Sequence, residues 1–563
     1  MTPVEPQAEQ DAMSLATDIA ARFLQSVVLV DDRAFERTPE LPPQAKLVVP
    51  GRGAEHEPQV PTIAETPATG LEGTLPADKE GVQPPAAPPP VVEPAAEALD
   101  AADLIKVFAK AGLVCAVIAP KPGESVAEET ANAALRSDIV VVDWVLHGDH
   151  GSLALEIMQR ILSRDNSRGG RLRLIVIYTG ESDLRGIIGK VHAALAKEVP
   201  DLTVAASGLA LTSQSLRIVV LAKEGARIPE EEPALRSVQV LPADLPRRLQ
   251  SEFAGLTSGL VTGAAVHGLA ALREDTHRLI ATLGPQLDAA FLAHRVLLDD
   301  PQESIAHAVD LVVGEIDSLM HASDMNAICG STAAIATVKG LKHDFKSVLK
   351  ALGITPESLE ELVKLVNEGY QRKNLKRKNV PLFTRLFADG ENAATRSEAD
   401  YAIAAMLITR YQGGGGSPIP LTLGTLVRKK PTGPTAEYLI CLQPRCDAVR
   451  LTGERAFIFL PLEVGDEEYE LMVRDGSDVK KLKYALAGVE VHRFGPSAGH
   501  SVVLAAKDDG GKLGFTTVDG NTLEWIGQLK PFFAQRLSNR FAAHMARVGL
   551  SEPEWLRRSG PER

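Results

Sequence analysis

Four short aliphatic runs in this 563-residue chain each end on a side chain suited to chemistry. Ser26-Val27-Val28-Leu29-Val30 runs into Asp31 and Asp32, and Ile139-Val140-Val141-Val142 runs into Asp143. Leu174-Ile175-Val176-Ile177-Tyr178 leads to Thr179, and Leu216-Arg217-Ile218-Val219-Val220-Leu221 leads through Ala222 to Lys223. Adjacent carboxylates repel unless a cation lies between them, so Asp31 and Asp32 point to a hard divalent metal. Three carboxylates, one ammonium and one hydroxyl form a coherent set for phosphoryl transfer. Asp31, Asp32 and Asp143 are the expected Mg²⁺ ligands, and Asp143 is the candidate nucleophile and phosphoacceptor. Lys223 and Thr179 are the expected contacts to the moving phosphoryl oxygens.

Dense apolar runs of this kind read as strands buried on both faces. Helical stretches separate them, near residues 99–111, 125–135, 152–162 and 183–196. A further strand is expected at 113–119, and Ser125 stands three residues before Glu128 in capping-box spacing. Strand and helix in alternation predict an α/β doubly wound, five-stranded parallel sheet. The carboxyl ends of its strands share one edge, so Asp31, Asp32, Asp143, Thr179 and Lys223 should converge there.

The order Asp-Asp, Asp, Thr, Lys on successive strand ends resembles the receiver (CheY-like) domain of two-component response regulators. The loop Asp143-Trp144-Val145-Leu146-His147-Gly148-Asp149-His150-Gly151 is similar to the receiver loop, in which a Gly eight positions after the Asp opens the next helix. The resemblance implies the backbone carbonyl of Val145 as a further metal ligand and a histidine kinase as phosphodonor. It also implies a phosphoacceptor that assists its own phosphorylation and dephosphorylation rather than a conventional enzyme. His147 and His150 flank the loop and would tune access to it.

The chain departs from the family at Glu224, where a Pro usually follows the Lys, and at Val220, where many receivers carry an aromatic. Residues 202–206 and 209–212 exceed the family pattern and suggest an added hairpin. Phosphoryl acceptance needs none of these features, whereas conventional output switching does.

The expected organisation is an N-terminal helix (1–25), the receiver (26–225), a mainly helical region (230–412), a β-rich region (417–527) and a C-terminal helix with tail (528–563). A Pro- and Ala-rich insertion at about 36–97 cannot bury enough apolar surface to order itself. In the middle region, helical periodicity marks 245–256, 269–283, 305–320 and 358–369. His343-Asp344-Phe345-Lys346-Ser347 resembles the phospho-accepting box of histidine kinase dimerisation helices, and an exposed helical His is its plainer reading. The basic run at 372–378 reads as a solvated face. After the flexible break at 413–417, strands are expected at 438–442, 456–460, 469–473, 489–493, 501–505 and 514–518, in a small antiparallel sheet or barrel. Cys441 and Cys446 lack the spacing and second pair of a zinc site and read as packed thiols.

A net charge of −13 argues against general nucleic-acid binding. Four scattered cysteines and an acidic N-terminus without a signal-peptide pattern point to the cytoplasm. The most apolar window, 255–272, contains His267 and is too short and polar for a membrane span. The whole chain resembles the large response-receiver proteins of bacterial (Detocs-like) defence two-component systems, which implies a receiver able to act as a phosphate sink without effector output. Two alternatives stay open. One is a conventional response regulator whose later regions bind DNA or a partner protein; the other is a phosphorelay intermediate using His343. A homodimer is a further candidate assembly.

Overall fold

The computed structural model describes residues 6–35, 99–121, 125–228, 232–341, 343–370, 380–388, 393–410, 418–429, 436–465, 469–476, 478–486, 488–508 and 510–546. The insertion at about 36–97, the basic run 372–378, the break at 413–417 and the tail 551–563 lie outside these residues. Two compact units divide the chain, Ala16–Thr257 on one hand and Met1–Leu15 with Ser258–Arg563 on the other.

The first unit carries helix α1 (Pro6–Phe23, shared with the second unit) and strand β1 (Ser26–Val30). There follow α2 (Ala101–Lys110), β2 (Val114–Ile118), α3 (Val126–Ala134), β3 (Ile139–Val142), α4 (Ser152–Ser167), β4 (Arg173–Thr179) and α5 (Leu184–Leu195). A hairpin of β5 (Thr203–Val204) and β6 (Ala210–Thr212) leads to β7 (Leu216–Ala222), the short α6 (Pro233–Arg236) and α7 (Leu245–Thr257). The sheet runs β2-β1-β3-β4-β7-β6-β5. Its first five strands pair in parallel, and β6 and β5 extend it antiparallel. The sheet is therefore seven-stranded and mixed rather than five-stranded. The residues beyond the family pattern pair with the flank of β7, which would otherwise be an open edge.

β1, β3 and β4 are aliphatic because both faces are covered, as parallel strands require. Helices α3, α4 and α5 pack side by side. α7 lies on β4 and β7, with Phe253 stacked on Phe23 of α1 at 5.6 Å. The unit therefore runs past residue 225 to Thr257. At the amino edge of the sheet, fully buried Arg173 donates to both carboxylate oxygens of Asp165 (2.9 and 2.8 Å) and to the carbonyls of Ala134 and Ser137. One side chain thus ties α3, α4 and β4 together. Ser125 occupies the N-cap of α3 without a side-chain cap bond, so the capping box does not form, whereas Asp100 caps α2 through Ala102 N and Asp103 N. The turn after β1 is joined to the start of α2, where the N–H of Ala101 donates to the carbonyl of Ala34 at 2.8 Å.

The second unit opens with helices α8 (Leu260–Thr282), α9 (Asp288–Leu297), α10 (Ser304–Ala322), α11 (Asn326–Cys329), α12 (Ser331–Lys339), α13 (Lys346–Ala351), α14 (Leu359–Glu368), α15 (Val380–Phe387) and α16 (Ala393–Met406). Leu349, Ile354, Leu362 and Leu386 centre a small core among the later ones. A ten-stranded antiparallel sheet follows and is buried on both faces. In its strand Tyr438–Cys441, Tyr438 and Ile440 enter one core and Leu439 and Cys441 the other. The final helix, α17 (Pro531–Met545), closes the first of these cores through Ala534 and Leu537. Arg450 fastens the sheet region to the helical region by donating to Glu303 (2.9 Å) and Asp299 (3.2 Å). No described helix is long and apolar enough to cross a membrane.

Candidate phosphoacceptor site

Strand register brings the site together. Val30 lies opposite Val142, so Asp31 and Asp143 leave adjacent parallel strands side by side, and Asp143 N donates to Val30 O at 2.9 Å. Thr179 lies opposite Ala222, and Lys223 N donates to Thr179 O at 2.8 Å. Lys223 extends its Nζ between two carboxylates, 2.8 Å from Asp31 Oδ2 and 2.6 Å from Asp143 Oδ2. Asp31, Asp143, Thr179 and Lys223 are all buried.

Burial raises the Asp143 carboxyl to about 6; Lys223 opposes the rise and Asp31 adds to it. Burial alone would push Lys223 down, but the carboxylates of Asp143 and Asp31 override it and hold the ammonium above its ordinary value. Asp31 Oδ1 accepts from Arg33 N at 2.9 Å. Asp32 Oδ2 accepts from His147 N at 2.8 Å, and the His147 ring Nδ1 lies 3.4 Å from the same oxygen. Asp32 Oδ1 is buried with no hydrogen-bond partner. One carboxylate oxygen from each of Asp31, Asp32 and Asp143 falls within 4.8 Å of the others. Hard oxygen donors, excess negative charge and one partnerless buried oxygen fit a divalent cation such as Mg²⁺.

The loop after Asp143 is held from within. His147 (φ 54°), Gly148 (72°), His150 (53°) and Gly151 (101°) all take left-handed conformations. A Cβ at Gly151 would lie 2.2 Å from the buried Trp144 ring, so the ring and the backbone both demand glycine there. The Asp149 carboxylate accepts from Leu146 N, Gly151 N and Leu153 N, fastening the loop to the start of α4. Thr179 Oγ1 accepts from Glu181 N at 3.2 Å.

Residues that the sequence reading passed over hold the strand ends beside the site. Val238 and Val240 exchange backbone hydrogen bonds with Ala222, each at 2.9 Å. Tyr178 OH donates to Val240 O at 2.7 Å, and Gln239 Nε2 donates to Glu224 O at 2.6 Å. This strap grips the strand ends that carry Thr179 and Lys223. Three residues give no periodicity by which to find it.

His343 lies in the other unit, ahead of the six-residue α13 rather than on a long helix. It is partly buried, with Nε2 donating to Leu386 O at 2.9 Å and its ring edge-on to Phe345 at 6.3 Å. The expected exposed helical histidine is thus a loop residue docked on α15. Cys441 is buried, and burial pushes its thiol up to about 12. Cys446 is exposed on a short turn, so only one of the two thiols is packed.

A largely parallel sheet with a cluster of three carboxylates and a buried lysine at its carboxyl edge defines the class of this unit. A family model described as the response receiver domain matches residues 23–227, which supports a receiver domain of the response-regulator type in this region. No curated protein and no solved structure matches the chain.

Proposed function

We propose that the receiver accepts a phosphoryl group on Asp143 from the phosphohistidine of a partner histidine kinase, with Mg²⁺ held by Asp31, Asp32, Asp143 and the carbonyl of Val145. One observation carries the reading: Lys223 Nζ bridges Asp31 and Asp143 beside the partnerless Asp32 Oδ1. An Asp143 carboxylate oxygen forms the new bond to phosphorus as the donor's N–P bond breaks. The cation supplies charge neutralisation for the phosphoryl oxygens. Lys223 then pairs with a phosphoryl oxygen, and the Thr179 hydroxyl donates to another.

Within this reading, a phosphate sink is favoured over a conventional output regulator. Val220 is a fully buried aliphatic in β7, with no ring to swing, and Tyr178, the aromatic next to Thr179 in sequence, is tied to Val240. The setting we propose is a cytoplasmic two-component system of bacterial defence, which rests on the whole-chain resemblance alone.

The test is intact mass after incubation with Mg²⁺ and acetyl phosphate, or with an autophosphorylated kinase. Wild type should gain one phosphoryl group, and Asp143→Asn or chelated protein should gain none. Equal labelling of wild type and Asp143→Asn would overturn the assignment. The sink reading further requires that added receiver deplete phosphoryl groups from a competing regulator.

A further inference from the structure

The loop from Trp144 to Gly151 meets the proposed cation site at two points. One is the carbonyl of Val145. The other is the N–H of His147, which donates to Asp32 Oδ2 at 2.8 Å. These two groups belong to consecutive trans peptides, Val145–Leu146 and Leu146–His147. In a trans peptide the C=O and the N–H point in opposite directions. Whatever holds the reverse side of each peptide therefore fixes the aim of the group that faces the site.

Asp149 holds the reverse side of both. Its Oδ1 accepts from Leu146 N at 3.3 Å, behind the Val145 carbonyl, and its own N–H donates to Leu146 O at 3.2 Å, behind the His147 N–H. The same carboxylate is anchored to the start of α4, where Oδ1 accepts from Gly151 N at 3.1 Å and Oδ2 from Leu153 N at 2.5 Å. The first turn of a helix favours a negative charge there. The loop needs such a grip, because His147 and His150 hold a left-handed backbone that disfavours any residue with a Cβ. Asp149 is half-buried and stands outside the cluster of Asp31, Asp32 and Asp143, so it acts through the loop rather than on the cation.

We propose that Asp149 is a positioning residue of the phosphoacceptor site. It aims the Val145 carbonyl and the His147 N–H, and so sets the affinity for the divalent cation. Through His147 the same grip occupies Asp32 Oδ2 and leaves the buried, partnerless Oδ1 for the cation. This role rests on the reading of Asp31, Asp32, Asp143 and Val145 as the cation's ligands. Loss of a group that orients metal ligands typically costs about ten- to a hundredfold in affinity.

The test is calorimetric titration of the full chain with Mg²⁺, beside labelling of Asp143 from acetyl phosphate. Asp149→Ala should bind Mg²⁺ on the order of tenfold more weakly than wild type. Asp149→Asn keeps an oxygen for Leu146 N and Gly151 N and should fall between the two. Labelling should shift to higher Mg²⁺ by the same factor. In chelated protein, the His147 amide should exchange faster in Asp149→Ala than in wild type. Asp183→Ala removes the cap of α5, which accepts from Gly186 N at 2.8 Å, and serves as the control for lost stability. It should leave Mg²⁺ affinity unchanged. Equal affinity in wild type and Asp149→Ala, or an equal loss in Asp183→Ala, would overturn the proposal. A wild type that binds Mg²⁺ more tightly than Asp149→Ala, yet takes no label, would uphold the positioning role and sink the phosphoacceptor reading instead.

Discussion

Asp143 is held in a protonation balance set by its surroundings. An acid raised to about 6 in the fold binds more protons there than in the unfolded chain, where carboxyls titrate near 4. The folded state therefore loses stability as pH climbs from about 4 through 6. In chelator-treated buffer at pH 7.5, Asp143→Asn should melt above wild type, by up to about 3 kcal/mol, and the gap should close towards pH 4. Thermal denaturation across that range reads the effect, and a wild type at least as stable as the variant at pH 7.5 would contradict it. Gly151 answers to a steric demand instead. Gly151→Ala sets a methyl against Trp144 at a left-handed φ, so a loss of about 1–3 kcal/mol is expected, together with a shift in Trp144 emission.

The elements bear on the site through their ends. Tyr178→Phe removes the one side-chain bond between β4 and the strap and should lower stability by about 1 kcal/mol in a denaturant titration, as a single neutral hydrogen bond does. Arg173→Met, at the opposite edge, strands a buried Asp165 and should cost about 3–5 kcal/mol. The aliphatic strands β1, β3, β4 and β7 were legible because burial on both faces leaves no polar position to blur them, and the acid, Thr and Lys at their ends stood out in contrast. Elements whose burial is one-sided or broken were not legible. In the strand Asp478–Tyr484, Asp478, Lys480, Lys481 and Lys483 mask a run in which Leu482 alone is buried. The strand Thr522–Leu529 shifts register between Trp525 and Gly527, so its alternation slips midway. The strap depends on backbone bonds, to which side-chain pattern is blind.

At the scale of the whole molecule, the two compact units each hold their own core, so calorimetry should resolve two unfolding transitions. On the proposed function, Mg²⁺ with beryllium fluoride, a stable stand-in for the acyl phosphate, is expected to bind the native receiver and not the unfolded chain. It should raise one transition and leave the other in place. A shift of both together would mean that the units unfold as one. The hydrogen bond from Ala101 to Ala34 carries a separate consequence. The stretch between them departs and returns at neighbouring points. Replacing residues 37–97 by a short linker would change the closure entropy by only about 2 kcal/mol. For heredity, that interval is a margin on the page: it can be lengthened, shortened or rewritten while the lines that spell the phosphoacceptor stay unedited.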